Sequence, residues 1–286
     1  MSSRGTSRSD PRGPRQPWWL GPAVVYLCMF AMILLFTVTL APLGLAREPV
    51  VVIGSQWLTY AVPLLILYLH VHRYEGKKRF WPSVGVQRKG FAKSIVWALA
   101  LWVIFTGILM IYSQTVSALT GASPEEEMYG YFEGTFPPGY FVYMFGAAFL
   151  PIAFSEELIF RGFTVDRLSV RGPAFGIIVG ALMFTSLHTW YIGIEGGALL
   201  YGGLFLIAVW WGIAYWKTKN LAGPILVHWW YNASMSVRYF LGTQAVAAVS
   251  SGFFAAGMLC LGYLLFMYLR GLFTEIEQLV KGKGKV

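Results

Sequence analysis

The sequence predicts an all-α, polytopic membrane protein with about eight transmembrane helices and both termini in the cytoplasm. The first observation is composition, since 57% of the 286 residues are hydrophobic and only 12% are charged. A soluble domain would have about a quarter of its residues charged. The second is a series of apolar runs close to the roughly 20 residues that cross a bilayer. The third is the placement of Lys and Arg between those runs.

Eight apolar runs follow one another along the chain, and the fifth and seventh are the shortest and contain polar groups. The runs cover residues 18–43, 50–70, 93–119, 139–163, 172–188, 196–216, 221–237 and 245–269. The first is longer than the roughly 7–15 apolar residues of a cleavable signal peptide, so we interpret it as a retained anchor. Residues 1–17 contain four Arg and many Ser, Gly and Pro, which predicts a disordered tail.

The basic residues predict the orientation of these helices. With the N-terminus inside, 20 of the 22 Lys and Arg residues fall on the cytoplasmic side, while Arg47 and Arg238 fall outside. This is the positive-inside pattern. The outer side instead holds Glu48, Glu125, Glu126, Glu127, Glu133 and Glu195. Because the net charge of +9 follows from topology and no nucleic-acid-binding motif is present, we expect no nucleic-acid partner.

The sequence predicts that the chain has four parts. A basic tail (1–17) precedes accessory transmembrane helices 1–3 with a cytoplasmic basic loop (18–135). Core helices 4–7 follow (136–240), and then the last helix with a basic tail (241–286). The acidic segment Glu125–Glu127 is read as a solvated outer loop. Cys28 and Cys260 lie in apolar runs without a disulfide or metal-binding pattern, so both are interpreted as packing residues.

Ionisable side chains inside apolar runs are costly, and they therefore indicate function. The first such group is Glu156-Glu157, followed by Arg161. Glu157 and Arg161 stand four residues apart with the acid first, which favours a helical ion pair. Glu156 points about 100° away around the helix, so its carboxylate is available as a general base. The competing interpretation is a helix end with solvated charges.

Two further polar groups follow on later helices. Phe184 precedes His188 by four residues, and His228 precedes Asn232 by four, so each pair shares one helix face. His228 and Asn232 can direct two donors toward one point, as an oxyanion hole requires. A lone histidine in a membrane helix is more often a packing residue, but three polar groups on three helices favour a common site.

The depth of these groups depends on where the helix of Glu156 ends. If it continues to about Val170, a rise of about 1.5 Å per residue places Glu156, His188 and Asn232 at similar depths near mid-membrane. If it ends at Gly162, Glu156 lies near the membrane surface and its depth differs from that of His188. We favour the long helix.

At these residues the sequence resembles the CPBP family, also called the Abi or CAAX-protease family. The family pattern is E-E-x-x-x-R, then F-x-x-x-H, then H-x-x-x-N, on successive core helices. It reads here Glu156-Glu157…Arg161, Phe184…His188 and His228…Asn232, in the same order. The resemblance covers roughly residues 139–237, a third of the chain. Each motif alone is weak, whereas the ordered set is specific.

The resemblance implies an intramembrane endopeptidase of the glutamic type. Glu156 and His188 would activate the attacking water, and His228 and Asn232 would stabilise the oxyanion. A supporting role is implied for Glu157, Arg161 and Phe184. The implied partners are the lipid bilayer and a membrane-embedded or lipidated protein or peptide, cleaved at a C-terminal tag, a CAAX-like end or a leader. We expect a multi-pass protein of a prokaryotic inner or plasma membrane, although nothing in the sequence shows a prokaryotic origin.

The resemblance leaves the cofactor open, because the family was once described as metal-dependent. A zinc site of two His and one Glu is chemically reasonable, and its ligands here would be Glu156, His188 and His228. The sequence has no H-E-x-x-H motif, and we expect a mechanism without metal or other cofactor.

Two other functions compete with the protease interpretation. Intramembrane Glu, His and Arg also form proton relays in transporters, but a transporter predicts broken helices in symmetric halves, and these polar residues occupy one half. The second alternative is a non-catalytic member of the same family that acts as a bacteriocin-immunity factor or scaffold. The intact motifs do not exclude it.

Overall fold

The computed structural model describes residues 17–40, 42–45, 48–121, 123–136, 138–188 and 197–282, and the tail predicted for residues 1–17 lies almost entirely outside them. The described residues are helical and contain no β-strand, so the prediction of an all-α protein is confirmed. The α-helices are α1 (Leu20–Leu40), α2 (Pro49–Leu69), α3 (Phe80–Ser83), α4 (Phe91–Thr120), α5 (Pro124–Thr135), α6 (Pro138–Ala147), α7 (Phe154–Glu157), α8 (Asp166–Leu168), α9 (Pro173–Ser186), α10 (Gly197–Thr218) and α11 (Ala222–Gly282).

The first three apolar runs lie mainly in α1, α2 and α4, and the fifth and sixth in α9 and α10. The fourth extends over several helical segments, and the last two lie in α11. Among the described residues, four helices are long and apolar enough to cross a membrane, and a bent pair brings the number to five. Helix α9, with 14 residues, is a shorter apolar helix. The chain is therefore an all-α polytopic membrane protein, while the number of eight crossings and their orientation stay predictions.

The fourth predicted span is bent. Leu150 has φ −127° and ψ 129°, which interrupts the helix, because the ring of Pro151 disfavours a helical conformation in the residue before it. The two halves differ in direction by 47°. Beyond the bend, α7, a π-helical stretch (Leu158–Val165), α8 and a final 3₁₀ turn (Ser169–Arg171) continue to Gly172. The long helix is thus confirmed, whereas the uninterrupted span is wrong.

The last two predicted spans form one hairpin within α11. Trp230 stacks on Phe253 at 5.6 Å between ring centroids, and its indole N–H donates to Ser250 Oγ at 3.2 Å. A straight helix would separate residues 230 and 253 by about 34 Å, so the chain must reverse between them. It does so at Gly242, whose φ of 80° is accessible to glycine at little cost.

Two smaller expectations are wrong. Glu125–Glu127 lie in a helix, α5, because Pro124 at its start is suited to the first helical turn. Arg161 is one of the 20 basic residues assigned to the cytoplasmic side, but its side chain is buried and ion-paired, so it is not a solvated loop charge.

The core of the molecule surrounds the segment that follows the two glutamates. All eight residues of Leu158–Val165 are buried. Helices α1, α9 and α10 pack against this segment. Gly162 lies against the backbone carbonyl of Val84, where a side chain would collide with it. The polar residues next to this segment are therefore held against a fully buried part of the protein.

Candidate active site

Glu156 lies on α7 with a side chain that is almost fully buried, at 5% exposure. Its two carboxylate oxygens have different neighbours. The hydroxyl of Tyr60, on α2, donates to Oε1 at 2.5 Å. Nε2 of His228, on α11, lies 3.4 Å from Oε2. A buried carboxylate without partners would be strongly destabilising, so these two contacts explain how the acid is tolerated here.

Glu157 forms the helical ion pair predicted from its spacing to Arg161. Arg161 Nη1 lies 2.9 Å from Glu157 Oε1, and both side chains are excluded from solvent. The guanidinium lies 4.4 Å from the ring centroid of Phe184 and 5.0 Å from that of Trp211. These aromatic faces add cation–π attraction to the ion pair.

His228 lies between the two glutamates. Its Nδ1 is 2.8 Å from Glu157 Oε1, and its ring stacks on Trp211 at 4.1 Å. Because an ionised carboxylate only accepts hydrogen bonds, Nδ1 carries a proton and donates it toward Glu157. The other nitrogen, Nε2, is the one near Glu156. Asn232 follows one helical turn later.

His188 comes just after the end of α9. Its Nδ1 is 3.0 Å from the carbonyl oxygen of Phe184, and a carbonyl can only accept. Nδ1 is therefore protonated, and in the neutral ring Nε2 is a hydrogen-bond acceptor. The ring centroids of Phe184 and His188 are 4.7 Å apart. The Phe184 ring thus packs against both the Arg161 guanidinium and the His188 ring.

A cavity of about 280 Å³ brings the predicted residues together. Its lining includes Glu156, His188, His228, Asn232 and Phe184. Glu157 and Arg161 do not line it but lie behind His228. A second cavity of about 220 Å³, between α1 and α2, is also lined by Glu156 and His188. The four residues predicted to be catalytic therefore share one cavity, and the two supporting charges are behind it.

Two aromatic residues of this site were not predicted from the sequence. Tyr60 lies in an apolar run where a tyrosine resembles any other membrane-helix aromatic, and Trp211 lies in a tryptophan-rich stretch of α10. Neither spacing nor charge distinguishes them from packing residues. Only the folded arrangement places one beside Glu156 and the other against the His228 ring.

A zinc site was considered for Glu156, His188 and His228. Across the described ranges, no three His, Cys, Asp or Glu side chains are arranged to hold a metal ion. Nδ1 of His228 is directed to Glu157, and Nδ1 of His188 to a carbonyl. As arranged here, Glu156, His188 and His228 do not form the three-ligand set of a zinc site.

Comparison with known proteins supports the family resemblance. A family model described as Rce1-like, type II CAAX prenyl endopeptidase, matches residues 138–234. The resemblance to the CAAX protease family is confirmed. The match contains all seven predicted site residues, while α1, α2 and α4 lie outside it. Comparisons with curated proteins and with solved structures gave no match.

Proposed function

We propose that this CAAX protease-like protein is an intramembrane endopeptidase that hydrolyses a peptide bond in a membrane-anchored or lipidated substrate. The observation that carries the proposal is the shared cavity of Glu156, His188, His228 and Asn232. An acid, two imidazoles and an amide supply the base and the donors that amide hydrolysis requires. The surrounding helices are apolar, which favours a substrate that is itself held in the membrane.

The first step is attack by water on the scissile carbonyl carbon. Glu156 accepts a proton from the water through Oε2, the oxygen that Tyr60 does not occupy. His188 orients the same water by accepting its second hydrogen at Nε2. As the C–N bond breaks, Glu156 returns the proton to the leaving nitrogen. The products are a carboxylic acid, which keeps the second hydrogen of the water, and an amine, and Glu156 is ionised again.

The second requirement is stabilisation of the oxyanion that forms when water attacks. Asn232 donates through its side-chain amide. His228 donates through Nε2 only when its ring is protonated, because Nδ1 is directed to Glu157. The Glu157 carboxylate stabilises this imidazolium, and Arg161 keeps Glu157 ionised in a buried place. In this proposal the ion pair behind the cavity acts on catalysis through its contact with His228.

The substrate is proposed from the family and from the site together. The matched family model is named for prenyl endopeptidases, and we extend this to lipidated or membrane-anchored proteins and peptides, including those with C-terminal tags or leaders. Comparative proteomics of membrane-protein termini, in cells with wild-type protein or with Glu156→Gln, identifies the substrate as the terminus that disappears in the variant.

The direct test is cleavage by purified protein in lipid nanodiscs. Glu156→Gln and His188→Ala are each expected to abolish cleavage while the protein remains folded in the membrane. Glu133→Gln, an exposed glutamate outside the cavity, is the matched control and is expected to retain activity. Full peptide hydrolysis by Glu156→Gln protein would show that the base is assigned wrongly. A biological role that survives this substitution would favour the scaffold.

A second assay addresses the metal. The metal-free mechanism predicts that cleavage persists after dialysis against a strong chelator and that the purified active protein contains less than stoichiometric zinc. Loss of cleavage on chelation, with recovery on adding zinc alone, would overturn this part of the proposal.

A further inference from the structure

The acid predicted to be the base is contacted by a helix that the family match does not include. Helix α2 carries Tyr60, which is 9% exposed and donates its hydroxyl to Glu156 Oε1. The two residues are 96 positions apart in sequence. The match to the CAAX protease family begins at residue 138, so the motif residues alone do not describe everything that holds Glu156.

We propose that Tyr60 is a positioning residue of this active site, whose hydroxyl fixes the Glu156 carboxylate so that Oε2 faces the reacting water. The proposal rests on the proposed function of Glu156 as the base. Tyr60 itself does not contact the reacting atoms, and it acts through the carboxylate.

The geometry supports a charge-assisted hydrogen bond. The O···O distance of 2.5 Å lies in the range of about 2.5–2.7 Å that is typical of an O–H donating to a carboxylate. Such bonds are roughly twice as strong as neutral ones. The phenol ring is buried, so this bond is retained without competition from bulk water.

Glu156 needs such support because open space lies on both of its sides. Glu156, His188 and Tyr60 each line the cavity of about 280 Å³ and also the cavity of about 220 Å³ between α1 and α2. A flexible carboxylate between two cavities could turn either oxygen to either side. With Oε1 held by Tyr60, Oε2 remains directed toward His228 Nε2, on the side where Asn232 lies.

The hydroxyl can be removed without removing the ring. In Tyr60→Phe protein the aromatic packing is kept, and the loss of one hydrogen bond to a charged group predicts a fall in kcat of roughly 10- to 100-fold. KM is expected to stay unchanged, because the substitution keeps the ring that lines the cavity and removes only the hydroxyl that contacts Glu156. Replacing Tyr60 by 4-aminophenylalanine restores a donor at the same place and is expected to recover much of kcat.

Tyr26→Phe is the matched control. The Tyr26 hydroxyl lies 2.8 Å from Ser186 Oγ, so it also joins an accessory helix, α1, to the core, but it does not reach Glu156. The control is expected to keep wild-type kcat. All variants are measured in nanodiscs as cleavage per folded molecule, with wild type and Glu156→Gln in parallel.

The outcomes separate the inference from the proposed function. If wild type cleaves, Glu156→Gln does not, and Tyr60→Phe keeps kcat within about twofold, the positioning role is wrong while the protease assignment stands. A loss in Tyr60→Phe that is not restored by 4-aminophenylalanine, or that Tyr26→Phe shares, also overturns it. Full cleavage by Glu156→Gln protein would instead remove the function on which the inference rests.

Discussion

Replacing Arg161 by methionine tests whether the buried ion pair supports the fold and the chemistry separately. The side chain of Arg161 is 1% exposed, and Glu157, its partner, is 0% exposed. Methionine keeps an unbranched apolar side chain at this position and removes the guanidinium with its charge. The substitution leaves the Glu157 carboxylate buried without its guanidinium.

The expected loss of stability is large. Removing one partner of a buried ion pair costs about 3–5 kcal/mol, since the other charge remains in a poorly solvated place. Losing the guanidinium contacts with Phe184 and Trp211 adds about 0.5–2 kcal/mol. We therefore expect the free energy of unfolding to fall by roughly 4–7 kcal/mol.

The double variant Glu157→Leu, Arg161→Met separates the two effects. Replacing both charges by apolar groups is often neutral, so it is expected to recover most of the lost stability. It is expected to stay inactive, because His228 no longer has a carboxylate at Nδ1. Unfolding free energies from denaturant titration in mixed micelles and cleavage rates in nanodiscs measure the two quantities.

Two results would refute this reasoning. If the single variant loses less than about 1 kcal/mol, the buried carboxylate does not depend on Arg161 as the desolvation argument requires. If the double variant cleaves at the wild-type rate, Glu157 does not act on catalysis through His228. A stable and inactive double variant is the expected result.

Three further predictions concern other parts of the structure. Asn232→Ala is expected to lower kcat by about 10²–10³, the usual cost of losing an oxyanion donor, and single-turnover cleavage measures it. Gly162→Ala is expected to destabilise the protein by about 1–3 kcal/mol, seen in denaturant titration, because its methyl group would collide with the carbonyl of Val84. The hydrogen bond from Arg238 lowers the pKa of Glu126, so this contact contributes above the ordinary carboxyl pKa of 4.5 and is lost as pH falls through the lowered value. Glu126→Gln should therefore cost at most about 1 kcal/mol at neutral pH, and this cost should shrink as pH falls through the lowered carboxyl pKa.

Each of these predictions would be contradicted by one specific result. An unchanged rate in Asn232→Ala would remove the amide from the oxyanion site. Gly252→Ala is the control for Gly162, since nothing lies within 4 Å of the added methyl, and equal stability of the two variants would contradict the close packing. A cost of Glu126→Gln that does not change with pH would show that the carboxyl charge is not involved.

The sequence predicts this fold well where a long-range pattern carries the information. Apolar runs near bilayer length predicted the helices, and the spacing of Glu157 and Arg161 predicted their ion pair. The sequence predicted less where a single residue changes the direction of a helix. The bend at Leu150 comes from Pro151. This proline lies within the fourth apolar run, where it was not predicted to interrupt the helix. The hairpin in α11 turns at a single glycine rather than in a loop.

The candidate site was also predicted only in part. Glu156, His188, His228 and Asn232 were found because ionisable and amide groups are conspicuous in an apolar run, and the structure places them around one cavity. Tyr60 was not found, since tyrosine is common in membrane helices. The contact between His228 and Glu157 depends on how α11 packs against α7, and no local pattern contains that information.

The enclosure of Leu158–Val165 has a practical consequence for experiments on fragments. Gly21 of α1 lies so close to His70 and Phe163 that a methyl group would collide with both. Val25 and Met29 of the same helix are also fully buried. A fragment cut at the limits of the family match would expose these surfaces and separate Glu156 from Tyr60. A fragment limited to residues 138–234 therefore lacks helices that cover the buried core and the hydroxyl that contacts Glu156.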